Sequence, residues 1–322
     1  MEQYYLILDI GGTKTTGAVF TKAGEILDDY TLTVQSQTFK GEEAVYQNTK
    51  QVLLRVMEHF GLKMEQVRGI GAGSPGPLNT REGIIVHAPL MGWKNFPIVR
   101  RLQEDFGKPV VLDNDGNLGA LAEHRRGLGK GSHNLLYMTV STGIGGGIIL
   151  QDQIHHGRND GAGEFGHMAI IEGGLACPCG SQGCFEMYAS GTALNRRMRM
   201  DQAKGVESLA FTLAREEGVE VEGRHLAAAA ANGDAYACML YQREGQYLGV
   251  GIANLFNLYD PEVFVLGGGV TKAKQYFHQA LMTTLQSRCI NPVSEEQIRY
   301  SVMNDRVVLY GAYYLIHEAV NA

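Results

Sequence analysis

Two stretches of this chain share one plan. LILDIGGTKTTGAVF (6–20) and YMTVSTGIGGGIIL (137–150) each run strand, polar-glycine turn, strand. A β-turn-β unit that recurs in each half implies two related lobes facing one another, each with its turn placed to meet a ligand. Glycine fits such a turn because it adopts positive φ and lets backbone approach a bound group closely.

The rest of the glycine usage supports that reading. Of 322 residues 42 are glycine, nearly twice the usual share of about 7%. They gather at 11–12, 71–76, 127–131, 143–147 and 267–269, mostly after strand-like runs. Several strand–glycine turns in one chain suggest a nucleotide embraced from several sides.

Strand-like runs cover 4–10, 17–20, 25–33, 67–72, 109–112, 135–140, 146–150 and 263–266. Helical spacing covers 42–60, 118–126, most of 190–260 and 312–319. Strands alternating with helices give an α/β chain. Its length and 44% hydrophobic content allow two packed lobes.

Net charge is -6 with no basic cluster, which argues against nucleic acid. The opening MEQYYLILDIGG has no basic segment ahead of an apolar run, and no apolar stretch approaches the roughly 20 residues that span a bilayer. A cytoplasmic protein without a membrane partner is expected.

Not every glycine motif carries the same weight. Residues 71–76 (GAGSPG) match the GxGxxG dinucleotide pattern, but Pro75 and Pro77 bracket its last glycine and a turn into a strand follows. A dinucleotide site needs a helix opening there. GxxxxGK[ST] is absent, which excludes a P-loop. Asp9-Ile10-Gly11-Gly12-Thr13-Lys14 is more specific. Backbone N–H groups at Gly11 and Gly12 can meet phosphate oxygens, Thr13 and Lys14 add donors, and Asp9 can hold a hydrated Mg²⁺. An ordinary hairpin with glycine at its bend is the alternative, weakened by 142–147 and 267–269 following in order, with Thr142, Gly143, Gly268 and Gly269 as the nucleotide contacts.

Asp113-Asn114-Asp115-Gly116-Asn117 ends a strand and precedes a helix. Asn117 is expected to cap that helix. Asp115 has two readings, a second cap or a base that takes a proton from a hydroxyl attacking a γ-phosphate.

His167, Cys177, Cys179 and Cys184 form H-x9-C-x-C-x4-C. Cys₃His fills a tetrahedral zinc, and four protein ligands mean a structural metal. Three thiols together by chance is the other reading. Glu164 and Glu186 flank the cluster, so a clip would fix two carboxylates near each other. Cys238 and Cys289 stand alone and read as buried apolar residues.

These residues resemble the ROK family (repressors, open reading frames, sugar kinases) over nearly the whole chain. The resemblance rests on DIGGTKTTGAVF, LDNDGN, VSTGIGGGII, GAGEFGH and CPCGSQGCFE followed by YASGTAL. It implies an actin-like ATPase (ribonuclease H-like) fold of two lobes around a nucleotide and sugar cleft, ATP with Mg²⁺, structural zinc and a homodimer. It makes Asp115 the catalytic base, and Asn114, Glu164, His167 and Glu186 ligands of sugar hydroxyls, His167 facing zinc with one ring nitrogen and sugar with the other. A small lobe is then expected at 1–117, rejoined by a C-terminal helix at about 306–322, and a large lobe at 118–305 with the zinc segment at 164–186.

Two departures matter. Family kinases often carry Asn where Leu90 stands, before Gly92-Trp93, so the choice of hexose is open. The winged helix-turn-helix of family repressors is not expected, because the chain reaches Asp9 at once. The expected activity is ATP-dependent phosphorylation of a hexose 6-hydroxyl, D-glucose first. N-acetylmannosamine, N-acetylglucosamine and fructose kinases are the alternatives, and a non-catalytic sugar-sensing regulator is the alternative of another class.

Overall fold

The computed structural model describes residues 2–36 and 41–321. In chain order the strands are β1 (Tyr4–Ile10), β2 (Lys14–Thr21), β3 (Ile26–Gln35), β4 (Val67–Ser74), β5 (Leu78–Asn79), β6 (Ile84–Ala88) and β7 (Trp93–Phe96). They continue as β8 (Val110–Asn114), β9 (Leu135–Val140), β10 (Ile144–Leu150), β11 (Gln153–Ile154), β12 (Val263–Gly267) and β13 (Ile298–Tyr300). The helices are α1 (Glu42–His59), α2 (Ile98–Phe106), α3 (Asp115–Arg125), α4 (Glu186–Ala189) and α5 (Gly191–Ala203). After them come α6 (Leu209–Glu217), α7 (Gly223–Ala231), α8 (Ala235–Tyr259), α9 (Lys274–Gln286) and α10 (Val307–Asn321).

The chain forms two compact units, one of Met1–Gly131, Gly147–Gly163 and Met303–Ala322, the other of Ser132–Gly146 and Glu164–Val302. The sequence suggested lobe changes at 117/118 and 305/306.

In the first unit β1 is central to a sheet of order β3-β2-β1-β4-β8. It pairs antiparallel with β2 and parallel with β4. Successive side chains of a strand point to opposite faces, and β1 is apolar on both. Tyr4, Leu6, Leu8 and Ile10 pack with Tyr46, Leu53 and Val56 of α1 and with Leu102 and Phe106 of α2. Tyr5 and Ile7 face the other way, onto Leu118 of α3 and Leu309, Ala312, Tyr313 and Ile316 of α10. The C-terminal helix is therefore part of this unit's core. It spans Val307–Asn321, close to the 306–322 expected for the rejoining helix and longer than the 312–319 over which helical spacing was read.

β4 accounts for the GxGxxG resemblance. Its glycines alternate as Gly69, Gly71 and Gly73, so all three present the same face. A Cβ on Gly69 would come 2.8 Å from Ile316, one on Gly71 would overlap the Ala312 carbonyl, and one on Gly73 would overlap Val308. Val308, Ala312 and Ile316 are spaced four apart along one stripe of α10. The glycines let a helix lie unusually close to the strand. Gly71→Ala is expected to force α10 away and to cost about 2–3 kcal/mol, the upper part of the overpacking range. Urea denaturation of the two proteins checks this; an unchanged midpoint would refute it.

The second five-stranded sheet has the order β11-β10-β9-β12-β13, with β9, β12 and β13 parallel. Like the first, it sets a hairpin beside parallel strands, as the two similar runs suggested. The long α8 packs on α9 through small residues. Cβ atoms on Gly245 and Gly249 would meet the Phe277 and Leu281 carbonyl oxygens of α9. No helix among the described residues is long and apolar enough to cross a membrane.

Candidate functional site

The residues singled out by sequence fall into two sets, one on each unit. In the first unit Asp9 is the last residue but one of β1, whose turn to β2 is closed by Gly11 N donating to the Lys14 carbonyl oxygen at 2.9 Å. Asp9 is aligned with Gly73 of β4, and Gly73 with Asp113 of β8. Parallel pairing thus carries the acidic ends of β1 and β8 to the same edge of the sheet. Burial and then the negative charge of Asp115 push the Asp9 carboxyl up to about 7, Lys14 opposes this, and Asp305 adds to it. Carboxylates crowded in this way suit a divalent cation with oxygen ligands. Gly12 packs on Leu90, whose Cδ1 would lie 2.9 Å from a Cβ there, and Leu90 is otherwise 68% exposed.

Asp115 opens α3, three residues earlier than the sequence suggested. The N-cap is Asn114, not Asn117: its Oδ1 accepts from Gly116 N at 2.8 Å. Asn117 is instead buried in the first turn, donating to Asp113 Oδ1 at 2.9 Å. An Asn two residues before the N–H it caps has the extended backbone such a cap needs, whereas Asn117 is already helical. Asp115 is half-buried, and its Oδ1 also accepts from Gly116 N at 2.8 Å.

In the second unit a compact knuckle spans 164–186. Cys177 N donates to the Ser181 carbonyl oxygen at 2.8 Å and Gly180 N to that of Cys177 at 3.0 Å, folding the chain back on itself. Gly183 has φ 75°, and a Cβ there would overlap the Ile171 carbonyl. The ligand atoms of His167, Cys177, Cys179 and Cys184 lie within 4.8 Å of one another. Zn–S and Zn–N bonds of about 2.3 and 2.0 Å give tetrahedral edges of roughly 3.5–3.8 Å. Cys179 Sγ is 3.6 Å from Cys184 Sγ, and Cys177 Sγ is 3.8 Å from His167 Nδ1. The donor set fits zinc. Burial pushes the Cys177 thiol up to about 12 and raises Cys184, while the Ser181 backbone lowers Cys179.

Both flanking carboxylates stand at the His167 ring. Glu164 Oε2 is 4.0 Å from Nε2 and Glu186 Oε1 is 3.9 Å from Nδ1. Phe185, fully buried between Cys184 and Glu186, is seated against Gly251 of α8. It anchors the carboxylate that follows it.

The turn between β9 and β10 belongs to the same neighbourhood. A Cβ on Gly143 would lie 2.9 Å from Glu186 Oε2. Gly191 N donates to the Ser141 carbonyl oxygen at 2.7 Å, and Thr192 N to that of Thr142 at 3.3 Å. Gly268, with φ 91°, lies against the Val140 carbonyl at the end of β9. One region of this unit therefore gathers Thr142, Gly143, Gly268, Glu164, His167 and Glu186. Gly269 follows directly and opens a short turn.

Sequence reasoning missed Asp113 and His156. Asp113 is 1% exposed, and His156 Nε2 is 2.7 Å from its Oδ2. A buried acid in the DNDGN run was the available signal.

Comparison with known proteins identifies the family and the fold. The sequence pattern of the ROK family matches residues 5–319. The chain is 34% identical to the glucokinase of Halalkalibacterium halodurans over all of its length and 97% of that protein's. Its fold matches a ROK family glucokinase from Streptomyces griseus solved with glucose and AMPPNP (TM-score 0.81, 30% identity, 97% of this chain and 98% of that one). It also matches a ROK family transcriptional regulator described as a homolog of the E. coli MLC protein, with TM-score 0.88 and 26% identity. That match covers 99% of this chain and 78% of the regulator. With its α/β architecture, mixed sheets and Cys₃His knuckle, the chain has the actin-like ATPase fold and belongs to the ROK family.

Proposed function

We propose that the protein is a glucokinase-type sugar kinase that uses ATP to phosphorylate the 6-hydroxyl of a hexose, D-glucose first. The observation that carries this reading is Asp115, a half-buried carboxylate at the start of α3 beside Asp9. Asp115 takes the proton of the 6-hydroxyl as that oxygen bonds to the γ-phosphorus and the bond to the departing ADP breaks. Asp9 holds Mg²⁺. Gly11, Gly12, Thr13, Lys14, Thr142, Gly143, Gly268 and Gly269 receive the nucleotide. Asn114, Glu164, His167 and Glu186 accept or donate to sugar hydroxyls, and His167 shares the structural zinc with Cys177, Cys179 and Cys184. The small lobe of 1–117 with the C-terminal helix, the homodimer and the cytoplasmic setting belong to the same reading.

A coupled ADP-release assay across a hexose panel tests it. Glucose is expected to give the highest kcat/KM, with mannose or glucosamine behind it. A buried acceptor left without its hydroxyl costs about 1–3 kcal/mol, so 2-deoxyglucose should be roughly tenfold to hundredfold poorer. An N-acetylhexosamine ahead by tenfold would keep the kinase and remove glucose. Sugar binding without ADP release would favour a sensing regulator.

A further inference from the structure

We propose that His156, acting through Asp113, is a positioning and charge-compensating residue for the start of α3, which carries the base Asp115. The proposal rests on the kinase reading only for what Asp115 does; the network itself is a property of the first unit.

Asp113 is a carboxylate at the end of β8 with almost no exposure. A buried carboxylate stays ionised only when its oxygens are matched by donors or a cation. Its Oδ1 accepts from Asn114 N at 2.7 Å and from Asn117 Nδ2 at 2.9 Å. Its Oδ2 is taken by His156 Nε2 at 2.7 Å. Asn114 in turn caps α3 by accepting from Gly116 N, the same N–H that donates to Asp115 Oδ1. One continuous set of hydrogen bonds thus runs from His156 through Asp113 to the residue before the base and the residue after it.

His156 is itself held in place. Four residues on, Asp160 accepts from Thr80 N at 2.9 Å and from Thr80 Oγ1 at 3.0 Å. This ties the segment beyond β11 to the turn between β5 and β6. The groups facing His156 are Asp113 on β8, Asp160 on its own segment and Arg81 beside Thr80. The hydrogen bond to Asp113 raises the imidazole, and Asp160 adds to this against burial and Arg81. A protonated His156 makes Asp113 half of a neutral pair. Asp113 then adds no net negative charge to a sheet edge that already holds Asp9 and Asp115, with Asp305 and Lys14 nearby. Without that cation Asp113 adds one more negative charge near the base, and the base's pKa should rise, because a like charge disfavours ionisation.

The sign of this effect separates it from mere support of the loop. His156→Phe removes the cation and leaves the acid: the acid limb of the kcat/KM–pH profile should move up by about one pH unit, with kcat down about 10–100-fold for a misplaced base. Asp113→Asn removes the acid and should move the limb the other way. The double variant should bring the limb back towards that of the unaltered enzyme, and His156→Gln, which keeps a donor, should recover part of kcat but not the limb position. A ¹³C NMR titration of the Asp115 carboxyl in the same proteins, assigned with Asp115→Asn, reads the shift without turnover. Opposite shifts for the two single variants support the proposal, and unshifted or same-direction changes overturn it. An unaltered protein with no kinase activity on any sugar overturns the kinase reading instead, and the NMR titration still decides this one.

Discussion

Replacing Asp115 by asparagine is expected to lower kcat about 10²–10⁴-fold, the usual cost of losing a general base, while hexose binding changes little. Asparagine keeps the size of the side chain, and its Oδ1 can still accept from Gly116 N, as Asp115 Oδ1 does at 2.8 Å. What it lacks is the ability to take a proton. Steady-state kinetics with isothermal titration of the sugar separates the two roles. A variant with near-normal kcat would make Asp115 a second cap of α3. A variant that loses sugar affinity by more than tenfold would make it a binding residue first. The acid pair adds a further expectation: Asp115 raises Asp9 by its charge, so the asparagine should lower the Asp9 carboxyl.

The second large effect concerns the knuckle. Cys179→Ser is expected to reduce zinc from one ion per chain to a small fraction of that, and to lower the melting temperature. Zinc ligation in small structural sites is worth about 10–16 kcal/mol of apparent binding energy. If only ~3 kcal/mol of this reaches the folded unit, the midpoint falls by roughly 6–12 °C at 2–4 °C per kcal/mol for 150–250 residues. Activity should fall with it, because Glu164 and Glu186 stand at the ring of the ligand His167. Chelator treatment of the unaltered protein should produce the same midpoint. Freshly purified protein that carries no zinc, or a variant whose stability is unchanged, would refute the assignment. Because bound thiols must lose their protons, and Cys177 and Cys184 are both raised by burial, zinc loading should release protons.

What could be read from the sequence was local. The turn after β1 and the DNDGN run each lie within a few residues and the Cys₃His set within one short segment, so each is legible without distant partners. The knuckle residues do assemble as their spacing required. Features that depend on distant partners were not legible. The glycines of β4 answer to Val308, Ala312 and Ile316, more than 200 positions later, so they resembled a nucleotide motif instead of a helix-packing stripe. His156 meets Asp113 across 43 positions, and nothing near either residue announces the other. The cap of α3 lies three residues before the expected one because four Asx side chains compete within DNDGN, and only backbone conformation chooses among them. Short α2 was missed for the ordinary reason that nine residues hold barely two turns of periodicity.

The placement of α10 sets an order on assembly. The face of the first sheet that carries Tyr5, Ile7 and Phe20 is covered by Leu309, Ala312, Tyr313 and Ile316. Those residues are made only after the entire second unit, Ser132–Gly146 and Glu164–Val302, has been synthesised. The unit that begins first is thus completed last. During synthesis the nascent chain carries this apolar sheet face with α3 alone against it, and the glycine furrow of β4 waits for α10. Quality control at the ribosome would meet this surface on every molecule made.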